Sequence, residues 1–96
     1  MELYQAEWCP HSHKVRQRLT ELGLDFTARQ VEADPDERDA MERATGERSI
    51  PLLVTDDGEA LAGEEEILPY LERFPERPDA EAHREKSREE VHTFAP

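Results

Sequence analysis

Apolar residues in this chain come in short clusters between charged stretches, and their spacing changes from one cluster to the next. Met1 to Ala6, with Leu3 and Tyr4 as its apolar content, reads as a short strand. Pro10 suits the first position of a helix, where its missing N–H costs nothing. Val15, Leu19 and Leu22 then recur at i, i+4 and i+7 and make one apolar stripe. Gly23 follows directly and can close that helix in a left-handed conformation. Leu24 to Val31 alternates as a second strand, with Phe26 and Ala28 facing inward. Asp34 can cap a second helix that has Pro35 at its first position and Gly46 at its end. Apart from Ala40, Met41 and Ala44 that helix is polar, which places it on the surface.

Pro51 to Thr55 and Glu59 to Ala62 read as two short strands, and Asp57-Gly58 between them is a strong hairpin signal. A third helix over about Glu65 to Phe74 buries Ile67, Leu68, Tyr70, Leu71 and Phe74. Pro69 within it is tolerable only in the first turn or so. The order is therefore β-α-β-α-β-β-α. A strand–helix–strand opening implies a parallel pair with a right-handed crossover, and the hairpin adds antiparallel strands. The expected fold is α/β, a mixed four-stranded sheet flanked by helices, on the thioredoxin-like plan and spanning residues 1–77. Residues 78–96 are highly charged, with Val91 and Phe94 as apolar anchors. They read as a solvated helix or a partly disordered tail.

Ninety-six residues with 35% hydrophobic content make one small domain with a thin core. No stretch is long or apolar enough to cross a membrane, and no secretory signal opens the chain. The single cysteine, Cys9, cannot form an internal disulfide. A cytoplasmic monomer is expected. Twenty-four acidic residues face twelve Lys and Arg, for a net charge of −12. Such a surface repels nucleic-acid phosphates and anionic lipids. Lys14 and Lys86 are the only lysines, and the other cations are arginines. Acid-rich, lysine-poor composition resembles that of proteins from halophiles, whose self-repulsion is screened in molar salt. An ordinary acidic protein is the other reading.

Cys9 stands between Trp8 and Pro10, where a strand ends and a helix starts. A sulfur there would face unpaired backbone N–H groups and the positive end of the helix dipole, and both favour thiolate. An ordinary thiol is only a few per cent ionised at pH 7, so such a shift matters for reactivity. Glu7 and the acidic chain oppose the shift; His11 and Lys14 could compensate locally. The alternative is that Cys9 is a small core residue. Three residues after Cys9 stands Ser12, where a two-cysteine enzyme of this plan has its resolving thiol. Any turnover is therefore monothiol, with an external small thiol releasing the product. His11 and His13 do not form a known metal-ligand set with Cys9 at this spacing, and no metal is expected. Arg16 and Arg18 read as a solvated face, and Trp8 as packing beside the thiol.

Three segments over residues 1–74 resemble the glutaredoxins and the related N-terminal domains of glutathione transferases. Trp8-Cys9-Pro10-His11-Ser12 is similar to the family's Cys-Pro active site in a serine variant. Thr45-Gly46-Glu47-Arg48-Ser49-Ile50-Pro51 matches Thr-Gly-x-Arg-Thr-Val-Pro, and Leu61 to Ile67 resembles Ile-Gly-Gly-x-Ser/Thr-Asp-Leu. The resemblance implies that Pro51 is cis and faces Cys9. It implies that the backbone of Ile50 pairs with the cysteinyl part of a bound tripeptide thiol. Arg48 would grip that ligand's terminal carboxylate. Glu65 and Glu66 fall on the positions that meet its γ-glutamyl end, with the helix start taking a carboxylate and Glu66 the ammonium. Cys9 is thus the expected catalytic residue, and Trp8, Pro10, His11, Arg48, Ile50, Pro51, Glu65 and Glu66 are the expected substrate-binding set.

Ala6 stands where the family often has a lysine, Ala62 replaces a glycine, and consecutive glutamates Glu64 to Glu66 surround the proposed anion site. The co-substrate implied is glutathione or γ-glutamylcysteine. At 96 residues, the helical second domain of glutathione transferases is not expected. The expected function is reduction of mixed disulfides between proteins and a small γ-glutamyl thiol. The alternatives are a [2Fe–2S] carrier, which Pro10 disfavours, and a redox-silent binding module on the same fold.

Overall fold

The computed structural model describes residues 1–89. Strand β1 (Glu2–Gln5) leads into helix α1 (Pro10–Leu22) and strand β2 (Thr27–Gln30). A 3-10 turn (Pro35–Glu37) and helix α2 (Asp39–Thr45) precede strands β3 (Leu52–Val54) and β4 (Ala60–Ala62). Helices α3 (Glu64–Leu71) and α4 (Ala80–Arg88) follow. The strand order is β2-β1-β3-β4. β1 runs parallel to β2, with Leu3 opposite Ala28, and antiparallel to β3, with Leu3 opposite Leu53. β3 and β4 are antiparallel, with Leu53 opposite Leu61. This is the thioredoxin-like mixed sheet expected from the element order. No helix among the described residues is long and apolar enough to cross a membrane.

Alternation places Leu3 and Leu53 on one face of the sheet. Val15, Leu19 and Leu22 of α1 and Ile67 and Leu71 of α3 pack against them. The α1 stripe is the one the i, i+4, i+7 spacing predicts. Gly23 ends α1 at φ 68°, and the Leu24 N–H returns to the Leu19 carbonyl at 3.0 Å.

Four local expectations need correction. Ala28 does not face inward: all of β2 is exposed, and Phe26, just before it, packs partly on the core. The reason is that β2 is an edge strand. A hollow of about 380 Å³, lined by Tyr4, Ala28, Val31, Ala40 and Met41 among others, separates it from α2. The predicted second helix is broken. Asp34 caps only the 3-10 turn, and Arg38 leaves helical geometry at φ −87°, ψ 46°. That break turns the buried Arg38 guanidinium onto the carbonyls of Glu32 (2.8 Å), Arg48 (2.9 Å) and Ala33 (3.2 Å). The third helix starts at Glu64 and ends at Leu71, and Pro69 lies in its second turn. Pro69 deprives the Glu65 carbonyl of its helical partner, at a residue that lies on the exposed side of the helix.

The charged tail forms α4, and α4 returns to α1. Val91 and Phe94, its expected anchors, lie outside the described residues. The junction is ionic. Glu21, buried on α1, accepts from Arg18 (2.7 Å), Arg84 (3.0 Å) and Gln17 (3.1 Å). Arg84 also bonds Glu76 and Glu81, each at 2.8 Å. The Arg77 N–H meets the Glu21 carbonyl at 2.9 Å. Burial pushes the Glu21 carboxyl up, but hydrogen bonds from Arg18, Gln17 and Arg84 outweigh it and hold it below the ordinary range. Hydrogen bonds from Arg84 and Arg18 hold Glu76 at about 2.

Both carboxyls are more acidic in the folded chain than in the unfolded one, so the unfolded chain takes up protons first as pH falls. The stability they contribute is full above about pH 4.5 and is lost toward about pH 2. Thermal melts across that window should show the fall, and Glu76→Gln should flatten it. Glu21→Ala leaves Arg84 and Arg18 short of a buried partner and should cost about 1–3 kcal/mol in urea unfolding at neutral pH.

Candidate active site

Cys9 is the residue immediately before α1, in extended geometry (φ −82°, ψ 117°), with Pro10 as the first helical residue. Its N–H bonds the Ala6 carbonyl at 3.1 Å, which closes the turn after β1. Its Sγ accepts the Ser12 N–H at 3.4 Å, so the thiol takes the place that a serine or aspartate oxygen takes at most helix starts. Cys9 is 7% exposed. That burial pushes the thiol up. Hydrogen bonds from the Ser12 hydroxyl and from the Ser12 and His11 N–H groups, with the charge of Arg16, more than offset it. The net result lies below the ordinary thiol range.

Two of these supports are not legible as such in the sequence. Ser12 reads there only as a missing second thiol. In the fold it is fully buried and its Oγ also receives the Ala6 N–H at 3.5 Å. Arg16 is not on a solvated face. Its guanidinium bonds the Gln5 side-chain oxygen, the Ala6 carbonyl (3.4 Å) and the Glu7 carboxylate (2.8 Å). The signal available was its place seven residues after Cys9, two turns along the same helix face. Arg18 likewise joins the Glu21 and Glu76 cluster. His11 and Lys14, expected to offset negative charge at the thiol, both pair with Glu64, at 2.9 and 3.4 Å. In the sequence Glu64 reads only as one of the consecutive glutamates around the proposed anion site.

At the start of α1, from His11 on, lies a groove of about 300 Å³ lined by His11, Ser49, Ile50, Pro51, Ala62, Gly63, Glu64 and Glu65. The Ile50-Pro51 peptide is cis, as expected. The Gly63 N–H holds the Pro51 carbonyl at 2.9 Å and locks the two walls together. Gly63 has φ 80°, and a side chain there would strike the Glu65 carboxylate, 2.2 Å from an ideal Cβ. No side chain caps α3 at Gly63, and Glu66 reaches back to accept the Ala62 N–H at 2.7 Å.

The groove thus brings together His11, Ile50, Pro51 and Glu65 of the expected set. Cys9 joins it through His11, whose N–H faces Sγ. Pro10 is exposed. Trp8 is 65% exposed rather than packed beside the thiol, because the turn from Ala6 to Cys9 directs it outward. Glu66 is engaged with Ala62. Arg48 is not in the groove lining. Its Nε and Nη2 bond Glu42 (3.0 and 3.2 Å), Nη2 also bonds Asp39, and Nη1 bonds the carbonyls of Pro35 (3.0 Å) and Asp36 (3.1 Å). Those partners, Glu42 first, raise its pKa further.

Ser12→Ala and Arg16→Gln should each raise the Cys9 titration. One lost hydrogen bond of ordinary strength should lower the thiolate fraction about 2- to 10-fold where ionisation is incomplete. The pH dependence of iodoacetamide alkylation measures this directly.

No curated protein matches the chain. Solved structures do. A glutathione S-transferase from Rhodospirillum rubrum F11 is 32% identical, with a TM-score of 0.64 over 75% of this chain and 32% of that one. Glutathione S-transferase 1-6 from Anopheles dirus species B is 26% identical, with a TM-score of 0.68 over 82% of this chain and 38% of that one. A glutathione S-transferase domain-containing protein from Marinobacter aquaeolei VT8 is 25% identical, with a TM-score of 0.65 over 78% and 39%. The chain spans 32–39% of the length of these relatives. The sequence model of the glutaredoxin family matches residues 1–59. With the thiol at the start of α1 and the cis proline at the groove, the chain belongs to the glutaredoxin family.

Proposed function

We propose that this chain is a monothiol thiol–disulfide oxidoreductase that removes a small γ-glutamyl thiol from protein mixed disulfides. The observation that carries the reading is Cys9 Sγ at the start of α1, 3.4 Å from the Ser12 N–H, with a serine where a resolving thiol would stand. The Cys9 thiolate attacks the small-thiol sulfur of the mixed disulfide. The S–S bond breaks and the protein sulfur leaves as a thiolate that takes a proton. A second small thiol, as thiolate, attacks the same small-thiol sulfur on Cys9. Cys9 thiolate is released, the incoming small thiol ends in a disulfide with the one taken from the substrate, and the protein thiol is restored.

The groove supports the choice of small thiol. Among the described residues, the Ile50 N–H and carbonyl make no hydrogen bond, so they are open to strand-like pairing with a cysteinyl backbone. The uncapped start of α3 suits the α-carboxylate of a γ-glutamyl group, and the groove-lining Glu65 suits its ammonium. Trp8 offers an apolar surface to the protein half of the substrate. Arg48 argues for a shorter ligand. A glycine carboxylate would have to displace Asp39 or Glu42 from it, and Ala6 supplies no second cation. The reading therefore favours γ-glutamylcysteine at least as strongly as glutathione.

The test is turnover of peptide mixed disulfides with each thiol, in about 0.1 M and in several molar KCl, where screening of the acidic surface differs most. Wild type should turn over, Cys9→Ser should not, and KM for γ-glutamylcysteine should be no higher than for glutathione. A rate that rises with KCl fits a net charge of −12 that hinders binding of an anionic thiol. No turnover with either thiol in either salt would reject the proposal in favour of cluster carriage or a redox-silent module.

A further inference from the structure

An exchange at Cys9 has a proton problem. A thiol held below the ordinary range is a good leaving group but a weak nucleophile, and the protein cysteine it must expel is the more basic of the two. The departure is therefore slow unless the departing sulfur is protonated as it leaves. The same proton must come from the incoming small thiol in the second half of the cycle.

Among the groove-lining residues, His11 alone is of a type that exchanges protons near neutral pH. Its position is fixed at two points. Its backbone N–H faces Cys9 Sγ, and its Nδ1 lies 2.9 Å from Glu64 Oε1 across the gap between α1 and α3. Among the described residues, Nε2 carries no hydrogen bond, and the ring is 58% exposed. Glu64 is itself anchored. Its Oε2 is closed off from water, and Lys14 Nζ stands 3.4 Å away. Hydrogen bonding to His11 first, with the charge of Lys14, holds the Glu64 carboxyl below its ordinary range. A carboxylate accepting from Nδ1–H leaves Nε2 as the atom that gains and loses a proton. The other charged or titratable groups around the ring are Cys9 and Lys14 on its own side and Glu65 on α3. The segment 49–51 contributes none.

We propose that His11, oriented by Glu64, carries the proton of the exchange. In the first step the His11 Nε2–H protonates the departing protein sulfur as the mixed disulfide S–S bond breaks. In the second, neutral Nε2 takes the S–H proton of the incoming small thiol as its sulfur attacks the small-thiol sulfur on Cys9. Proton and electrons balance with no other reactant. His11 is a catalytic residue in this scheme and Glu64 a positioning residue. The proposal rests on the oxidoreductase reading above and adds a role that reading does not require.

Leaving-group dependence separates a proton donor from a binding or structural role. With the full chain, single turnover is measured between pH 5 and 9 on two mixed disulfides of γ-glutamylcysteine. One releases a peptide cysteine; the other releases an aromatic thiol, which departs without protonation. His11→Gln should slow the peptide reaction about 10- to 100-fold and the aromatic one by less than about threefold. The wild-type peptide rate should fall at alkaline pH, and His11→Gln should lack that fall. Glu64→Gln should show the same leaving-group dependence with a smaller loss. Equal losses on both substrates, or no loss on either, would overturn the relay while leaving the oxidoreductase reading intact. A wild-type chain inert toward both would overturn both.

Discussion

Leu3 and Leu53 from the sheet, Val15, Leu19 and Leu22 from α1, and Ile67 and Leu71 from α3 form the apolar contact on which the rest depends. Each buried aliphatic side chain contributes about 1.5–3 kcal/mol of transfer free energy, set against the entropy of ordering it. The contact fixes more than stability. It holds α1 and α3 against one sheet face so that both helix starts open beside the cis Ile50-Pro51 turn. The thiol, the histidine and the uncapped N–H groups lie at those starts because this layer orients the helices.

A domain this acidic must also manage its own repulsion, and arginine does much of that work. Arg38, Arg48 and Arg84 each join segments distant in sequence, and each uses several donors of its planar fork. Exposed pairs such as Arg29 with Glu2 contribute little singly, because water screens them. The Glu21 junction differs because its carboxylate is buried and would be orphaned if its partners left. It turns a charged tail with few apolar residues into a helix docked on α1.

The thiol shows how local geometry overrules global charge. Net charge of −12 opposes a thiolate, yet it acts through distances at which salt screens it, about 10 Å at 0.1 M. The Ser12 and His11 donors act in direct contact. Arg16 is neutralised in part by Glu7 but stays on the thiol's side of the turn. Glu64 meanwhile pairs with the His11 ring and with Lys14, and leaves that ring facing the groove while the His11 backbone N–H faces the sulfur.

The sequence by itself determined the element order, the core stripe of α1, the left-handed end at Gly23, the hairpin at Asp57-Gly58 and the place of Cys9 before Pro10. Local steric and periodic rules set these, and local rules are written in adjacent residues. Motif resemblance carried the cis bond at Pro51. Only the tertiary structure decided what each polar side chain meets. Arg38 broke a helix that its neighbours would have continued, because three carbonyls from other segments converge on it. Arg48 turned to Asp39 and Glu42, Arg16 turned to the thiol's turn, and Glu64 became the partner of His11. Trp8 stayed exposed and β2 became an open edge. Long charged side chains choose among partners several ångströms apart, and those partners come from segments up to sixty-three residues distant in the chain. No periodicity encodes that choice; packing of the apolar layer makes it.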